Sequence, residues 1–355
     1  MDPKIEIRKF QKSDIPVLNE MMKKNYGVTK DEKVWTWWYE ENPCRRNYSH
    51  VCVVDGRVVA HAGGIPFELQ NGNKRFTGNL SADLLSDPEN RIKRAFMLAF
   101  LKSMTYSEEH GDWITYGFAN TEGMKAVADK AKAIIRGPMV PRLDRLVNVT
   151  PFLRRKIKLS VGARLIGAPV TLLNRLMLSS ATSRAFNRNS IEEVSFFDAR
   201  FDELWEEVGP TLPITTVRSS EYLNWRYIKH PSHTYKVFTF VDQGRLKGYV
   251  VLRSFMEEEI RRGLIIDLVS DTKTPEVWNS LIAKGIDYLL QQKVDLLSCW
   301  MFGHMPYYQT FKKFRFAERP SDLHFGAGLY AAENLPACWM EPENWHFTMG
   351  DSDVF

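Results

Sequence analysis

Cysteines and long apolar runs are scarce in this sequence, and each scarcity excludes a class of protein. Acidic residues are missing only from one segment. Only 4 of the 355 residues are cysteine. None of them form a Cys-x-x-Cys pair, so the sequence does not predict a disulfide framework or a zinc site. The N-terminal residues lack the apolar core of a signal peptide. The most apolar segment, 159–178, is interrupted by Arg164, Pro169, Asn174 and Arg175, which excludes it as a membrane span. We therefore expect a cytoplasmic protein.

The size and charge of the chain favour a globular protein with more than one core. A chain of 355 residues is longer than a single hydrophobic core usually serves. Its 44% hydrophobic and 26% charged residues are ordinary for a globular protein. The net charge of +5 is too small to indicate nucleic-acid binding by itself.

An internal repeat organises the chain. The segment 37–43, Trp-Trp-Tyr-Glu-Glu-Asn-Pro, aligns with 225–231, Trp-Arg-Tyr-Ile-Lys-His-Pro, at an offset of 188 residues. At the same offset the turn at Gly56 aligns with the turn at Gly244, and each turn lies between alternating apolar runs. Both pairs of runs therefore predict β-hairpins in which glycine supplies the positive φ. We interpret the tryptophans as core anchors rather than as a platform for sugar rings.

The rest of the repeat predicts a mixed α/β fold. The strand at 81–87 parallels 265–271, helices follow at about 91–107 and 275–292, and further strands follow at 113–118 and 297–302. Each copy is predicted to run strand, helix, Trp-bearing helix, three strands, helix, strand and helix. The predicted divisions of the chain are a first domain at 1–150, a basic apolar linker at 151–190, a second domain at 191–335 and an aromatic tail at 336–355 that docks on the body.

This order of elements resembles that of the GNAT acyltransferase superfamily. More narrowly, it resembles the tandem GNAT-like proteins found with bacterial surface-polysaccharide biosynthesis. The resemblance implies two GNAT-like domains, acyl-CoA as co-substrate and direct transfer of an acyl group to an amine. The segments that carry it are 37–43, 80–96, 116–120, 224–227, 266–268 and 350–353.

The resemblance also implies a donor site in the first copy. A strand, a loop and a helix N-terminus would hold the pyrophosphate through free backbone N–H groups. The sequence departs from the family here, because Arg94 and Phe96 stand where glycines allow the backbone to approach phosphate. In the second copy Asp271 and Glu276 replace this pattern, so we do not expect that copy to bind CoA. The predicted donor-binding residues are Leu84, Leu85, Ser86, Arg91, Ile92, Lys93, Arg94, Ala95, Phe96 and Asn120.

Catalytic candidates follow from the chemistry of such a transfer. Asp83 lies on an otherwise apolar strand, where burial would raise its pKa toward that of a general base, although it also suits a structural role. Tyr116 is the candidate acid for the leaving thiolate. Asn120 either contacts the pantetheine region or caps the following helix. The predicted substrate residues are Arg226, Asp267, Asp351 and Asp353. The Asp351 and Asp353 pair is not followed by the further oxygen ligands that calcium requires, so no metal is expected.

A second feature is the segment 145–191, in which no acidic residue occurs. A basic, apolar stretch of this kind favours peripheral contact with an anionic membrane on the inner face of the cell. The alternative is a pair of helices that packs its apolar side on the body and exposes its charges. Nucleic acid is disfavoured because aromatic residues are almost absent there.

The sequence therefore predicts an acyl-CoA-dependent N-acyltransferase, and the resemblance to tandem GNAT-like proteins implies an amino sugar or glycan precursor as the acceptor. Two alternatives remain at this point. One is a transferase that uses aminoacyl-tRNA to modify peptidoglycan-type precursors. The other is a catalytically inactive binding or scaffold protein.

Overall fold

The structure is a computed structural model, and it describes residues 3–89, 94–120, 123, 127–128, 134–156, 160–185, 190–321 and 323–353. Within these ranges the chain forms two mixed β-sheets with helices packed on them. The predicted fold class, a mixed α/β fold with two GNAT-like domains, is confirmed.

The first part of the chain builds most of the first sheet. Its helices and strands are, in order, β1 (Ile5–Lys9), α1 (Ile15–Tyr26), α2 (Glu32–Tyr39), β2 (His50–Val54), β3 (Arg57–Asn71), β4 (Lys74–Ser86), α3 (Ala95–Glu109), β5 (Ile114–Asn120), β6 (Ile135–Met139) and β7 (Arg142–Leu146).

Two helices, α4 (Thr150–Lys156) and α5 (Ser160–Ala185), then lead to the second part. Here a π-helical turn at Asn224–Ile228 directly follows the short helix Ser220–Leu223. The helices and strands are β8 (Ile191–Val194), α6 (Ala199–Val208), β9 (Thr215–Thr216), α7 (Ser220–Leu223), β10 (Lys236–Asp242), β11 (Arg245–Glu257), β12 (Ile260–Ser270), α8 (Pro275–Gln291), β13 (Leu296–Trp300), α9 (Tyr308–Lys313), β14 (Ala317–Arg319) and β15 (Leu323–Leu329).

The hairpins predicted from the repeat are confirmed. β2 pairs with β3 and β10 pairs with β11, both antiparallel. The turns between them hold Asp55 and Gly56 at φ 48° and 82°, and Gln243 and Gly244 at φ 48° and 76°. Positive φ at both central residues gives the turn a twist that matches the twist of the flanking strands. The helix predicted from Arg91 begins at Ala95 in the described residues, and Asn90–Lys93 lie outside them.

The two sheets exchange strands across the predicted divisions. The first sheet runs β1-β2-β3-β4-β5-β15-β6, and the second runs β14-β7-β13-β12-β11-β10-β8. The late strand β15 therefore pairs with β5, whereas the early strand β7 pairs with β13. Sequence order alone does not assign these two strands to their sheets, because each is placed by long-range pairing.

The core is continuous between the sheets, and the C-terminal segment is part of it. Trp37, Trp225, Trp345 and Phe347 are all buried in one cluster of apolar side chains. Trp345 stacks on Phe347 with ring centroids 4.7 Å apart. Burial of these aromatic side chains holds the last described residues on the body rather than in solvent.

Candidate active site

A cavity opens where two parallel strands of the first sheet separate. β4 pairs with β5 only through Gly78–Leu80 and Ile114–Tyr116. Beyond these pairs the strands border a cavity of about 440 Å³. Its wall is mostly apolar. The side chains and backbone that line it include Met22, Val28, Leu84, Leu85, Phe100, Phe118, Val127, Ile134 and Leu323.

Asp83 is the acidic residue that β4 contributes to this cavity. The pairing of β3 with β4 shifts register between His61 and Gly63, and Asp83 has a φ of 47°. Such a bulge turns a side chain out of the regular alternation of the strand. The backbone carbonyl of Asp83 lies 2.7 Å from Nδ1 of the buried His61, which holds the bulge in place.

Lys30 and Tyr39 hold the carboxylate of Asp83. Lys30 Nζ donates to Oδ1 at 2.5 Å, and the Tyr39 hydroxyl donates to Oδ2 at 2.8 Å. The side chain of Asp83 is 6% exposed and that of Lys30 is 19% exposed. Burial by itself raises the pKa of Asp83, but the charge and hydrogen bond of Lys30 reverse this effect, and the net pKa lies below its ordinary value. Asp83 is therefore ionised at neutral pH.

Asp353 is a second carboxylate on the same cavity. Burial, and after it the negative charge of Asp83, raise the pKa of Asp353 to about 6. Two carboxylates that share a site separate in pKa because ionising both is costly. Asp353 is consequently the group of this pair that can take up and release a proton near neutral pH.

Arg226 positions the segment that carries Asp353. Its Nε donates to the Gly350 carbonyl at 3.1 Å, and its Nη2 donates to the Ser352 carbonyl at 2.9 Å. The guanidinium is buried and lies 5.3 Å from the ring centroid of Trp38. Arg226 therefore holds the backbone on which Asp353 is carried, through the carbonyls of Gly350 and Ser352.

The second sheet contains a cluster that matches the one around Asp83, but here the C-terminal segment occupies the space beside it. Arg218, Tyr227 and Asp267 correspond in the sequence repeat to Lys30, Tyr39 and Asp83. Arg218 Nε lies 3.1 Å from Asp267 Oδ2, and the Tyr227 hydroxyl donates to the same oxygen at 3.0 Å.

The C-terminal segment occupies the space beside this second cluster. Thr348 donates to Asp267 Oδ1 at 3.1 Å, and Asp351 accepts from Arg218 Nη2 at 2.8 Å. The side chains of Arg218, Asp267 and Asp351 are at most 1% exposed. Arg226, Asp267 and Asp351, which were predicted to contact substrate, thus lie in buried contacts, and only Asp353 of the four reaches the cavity.

Apart from Asn120, the predicted donor-binding residues divide into three groups. Leu84 and Leu85 line the cavity, and Ser86 follows them at the end of β4. Arg94, at φ 95°, precedes Ala95 at the start of α3, and Phe96 stacks on Phe100, which itself lines the cavity. Arg91, Ile92 and Lys93 lie outside the described residues.

Asn120 and Tyr116 both border the cavity but differ in exposure. Asn120 is exposed, and its Oδ1 accepts from the backbone N–H of Gly123 at 2.8 Å. Tyr116 borders the cavity but is only 1% exposed. Burial, and after it the charge of Asp351, raise the pKa of Tyr116 well above its ordinary value. The assignment of Tyr116 as the acid stays a prediction.

Sequence reasoning missed Lys30, Tyr39 and His61 as site residues. A signal for Lys30 was present, because Lys30 and Arg218 are separated by the same 188 residues as Trp37 and Trp225. For His61 no comparable pattern exists. Within the described residues no group of three or more His, Cys, Asp or Glu side chains could hold a metal ion.

A comparison with known protein families finds a match in the part of the chain that builds the first sheet. Residues 6–124 match the family described as "Acetyltransferase (GNAT) domain". The matched region runs from β1 beyond β5 and includes Lys30, Tyr39 and Asp83. No match was found among curated protein sequences.

Solved structures extend the similarity to nearly the whole chain. A GCN5-related N-acetyltransferase from Anabaena variabilis ATCC 29413 is 12% identical, with 92% of this chain and 73% of that chain covered and a TM-score of 0.64. One from Kribbella flavida is 12% identical, with 93% and 72% covered and a TM-score of 0.63. An N-myristoyltransferase of Saccharomyces cerevisiae, solved with bound myristoyl-CoA, is 11% identical, with 92% and 78% covered and a TM-score of 0.61. At these identities the likeness is one of fold.

Proposed function

We propose that the protein is an acyl-CoA-dependent N-acyltransferase whose active site is the cavity between β4 and β5. The observation that carries the proposal is the pair of carboxylates on this cavity, one held ionised by Lys30 and the other, Asp353, with a pKa of about 6. A base with a pKa near the working pH is the group that amine acylation requires.

The cavity wall suits an acyl-CoA donor. Beyond Leu80 the edge of β4 that faces β5 has no strand partner among the described residues. Amide groups of a pantetheine arm can pair with such an edge as a strand would. The apolar side chains around it suit an acyl chain, and the fold is shared with a yeast enzyme solved with myristoyl-CoA. The first turn of α3, next to Arg94, offers backbone N–H groups to the diphosphate.

Asp353 is the general base in this scheme. The neutral amine nitrogen attacks the thioester carbonyl carbon, so that a C–N bond forms and the C–S bond breaks. The proton lost by the amine passes to the carboxylate of Asp353, and coenzyme A leaves as a thiolate that takes a proton from solvent. Asp83 and Asp353 together attract a cationic amine to the cavity, where it gives its first proton to solvent water before the attack.

For the acceptor we propose the amine of an amino sugar or of a glycan precursor, as the resemblance to tandem GNAT-like proteins implies. The two carboxylates support an amine in general, and they do not by themselves select a sugar. A panel of amino sugars, polyamines and peptide amines, each tested with the same donor, distinguishes these acceptors.

Thiol release from acyl-CoA, measured with the full chain, tests the proposal. Acetyl-, octanoyl- and myristoyl-CoA are each offered with the amine panel. Asp353→Asn should lower kcat by about 10²- to 10⁴-fold, the usual contribution of a general base. The Kd for acyl-CoA, measured by calorimetry, should not change, because Asp353 contacts the amine rather than the donor.

Asp242→Asn is the matched control. Asp242 is exposed at the end of β10, and its replacement by Asn removes the same single negative charge. This variant should keep the activity of the parent. Treatment with ribonuclease should leave turnover unchanged, whereas a loss would indicate an aminoacyl-tRNA donor. Absence of both acyl-CoA binding and thiol release would contradict the proposal and favour a non-catalytic binding protein.

A further inference from the structure

The outward face of α5 is apolar over three turns. Leu165, Ile166, Val170, Leu172, Leu173, Leu176 and Met177 are all exposed, with values from 37% for Met177 to 73% for Leu165. They recur at helical spacing, so they share one side of the helix. The opposite side includes the buried Leu178 and Thr182 and packs on α4 and α8. In its described residues α5 therefore exposes apolar side chains to solvent while its other side packs on the body.

A basic groove lies beside this apolar face. Its walls, which enclose about 520 Å³, include Arg145, Leu176, Arg184, Lys313 and Arg315. Arg184, Lys313 and Arg315 are exposed. Arg145 donates to Asn174 Oδ1 at 3.2 Å, and Arg184 donates to Ser180 Oγ at 2.8 Å. In the described part of the chain none of these four cations forms a salt bridge.

Apolar and basic groups are thus arranged side by side on one surface, which we define as the α5 surface: the seven exposed apolar side chains of α5 together with Arg145, Arg184, Lys313 and Arg315. A helix that lies in a membrane interface buries its apolar side in the acyl boundary while cations beside it contact lipid phosphates. No helix in the described ranges is long and apolar enough to cross a membrane, so the contact would be along the surface.

Charge argues against a second copy of this chain as the occupant. The segment 145–191 contains no acidic residue, and the groove adds Lys313 and Arg315. Two α5 surfaces brought together would therefore oppose cations to cations without compensating carboxylates in that segment. An anionic lipid surface supplies both the apolar phase and the negative charge that this face lacks.

We propose that the α5 surface docks the protein on membranes that contain anionic lipid. The proposal does not depend on the acyltransferase assignment. Membrane binding should need both the seven apolar side chains and the basic groove. A purely electrostatic or a purely hydrophobic contact would need only one of them.

Co-sedimentation of the full chain with vesicles tests the proposal. Vesicles with equal parts of phosphatidylcholine and phosphatidylglycerol should bind the protein, and vesicles of phosphatidylcholine alone should bind it much more weakly. Each basic side chain near an anionic surface contributes about fivefold to partitioning. The double variant with Arg184→Glu and Lys313→Glu should therefore lose about 25-fold or more. The double variant with Leu173→Gln and Leu176→Gln should lose about tenfold or more through lost apolar burial.

Matched controls separate this surface from non-specific attraction. Lys33→Glu with Lys74→Glu makes the same change in net charge at exposed positions outside the α5 surface, and Met256→Gln removes an exposed apolar side chain from β11. Both controls should bind as the parent does. Thermal unfolding of each variant shows that it is folded, and amide hydrogen exchange should slow in 165–177 when anionic vesicles are added.

Three results would overturn the proposal. One is the absence of binding to either kind of vesicle. Another is equal binding by the parent and both double variants, which would mean that another surface makes the contact. The third is concentration-dependent self-association, measured by analytical ultracentrifugation, that the Leu173→Gln and Leu176→Gln variant abolishes while vesicle binding is absent. A second copy would then occupy the α5 surface.

Discussion

Trp37 and Trp225 stack on each other at the junction of the two halves, with ring centroids 4.4 Å apart and planes 16° apart. Each indole N–H also donates to the backbone carbonyl of the other tryptophan, at 3.1 Å and 3.3 Å. The two residues are 188 positions apart and occupy the same place in the repeat. A reciprocal contact of this kind places a local twofold relation between the halves.

This reciprocity predicts energetic coupling between the two tryptophans. Trp37→Phe or Trp225→Phe removes one indole donor and leaves a buried carbonyl without it, which should cost about 1–3 kcal/mol. Loss of the stacked indole pair should add a coupling of about 0.5–1.5 kcal/mol in the double-mutant cycle. Urea unfolding of the four proteins gives this coupling. Additive single effects would contradict it.

Loss of the cation should lower the free energy of unfolding more at the Arg218–Asp267 ion pair than at the Lys30–Asp83 ion pair. Arg218→Met leaves Asp267 and Asp351 buried without their guanidinium and should cost about 3–5 kcal/mol of unfolding free energy. Lys30→Met leaves Asp83 beside an open cavity, where water can solvate it, so the stability loss should be smaller. Chemical denaturation of both variants provides the comparison, and equal losses would mean that the first cluster is as structural as the second.

The pH dependence of turnover should report Asp353. Because the base acts when deprotonated, kcat/KM should rise as pH increases through about 6, the pKa to which burial and Asp83 raise this carboxyl. Asp83→Asn removes a negative charge and leaves Lys30 in place, so the rising limb should move to lower pH. Kinetics of the parent and variant across pH 4 to about 9 test this shift. If the rise of kcat/KM with pH is the same in the variant, the rise reports a group other than Asp353.

Folding stability should also depend on the titration of Asp353, and it should fall where activity rises. The pKa of Asp353 is raised in the folded state from its ordinary value of 3.8 to about 6. The folded state therefore binds the proton more tightly than the unfolded state does, and it loses stability as the pH rises between these two values. Asp353→Asn should remove this loss and stabilise the protein at neutral pH by at most about 3 kcal/mol. Unfolding of both proteins at two pH values measures the difference. Destabilisation by Asp353→Asn at neutral pH would contradict it.

Gly63 should be essential to the position of Tyr39. A β-carbon at this residue would lie 2.2 Å from the Tyr39 hydroxyl oxygen and 2.4 Å from the Ala82 carbonyl oxygen. Gly63→Ala should therefore displace the backbone or the tyrosine, at a cost of about 1–3 kcal/mol, and weaken the hold on Asp83. Gly303→Ala, which meets nothing within 4 Å, is the control. Calorimetric unfolding of both variants checks the contrast.

Local patterns predicted much of the fold. Alternating apolar runs around Gly56 and Gly244 predicted both hairpins, because side-chain alternation and positive φ are properties of a few adjacent residues. The repeat also aligned Tyr39 with Tyr227 and Asp83 with Asp267. In the structure these pairs make matching hydrogen bonds.

Other features were not predictable from local patterns. The entry of β15 beside β5 and of β7 beside β13 depends on pairing between distant segments. Asp351 and Asp353 look alike in sequence and were predicted to act alike. Only Ser352, in extended backbone, lies between them, and Asp351 enters a buried ion pair while Asp353 borders the cavity.

The two hairpins, the repeat and the acid-free character of 145–191 could be read from the order of neighbouring residues alone. Long-range packing, by contrast, was needed to learn which carboxylate borders the cavity and which face of α5 is exposed. Burial and the distance to opposite charges govern a pKa, and packing against α8 selects the hidden side of a helix. Both are set by residues far apart in the chain.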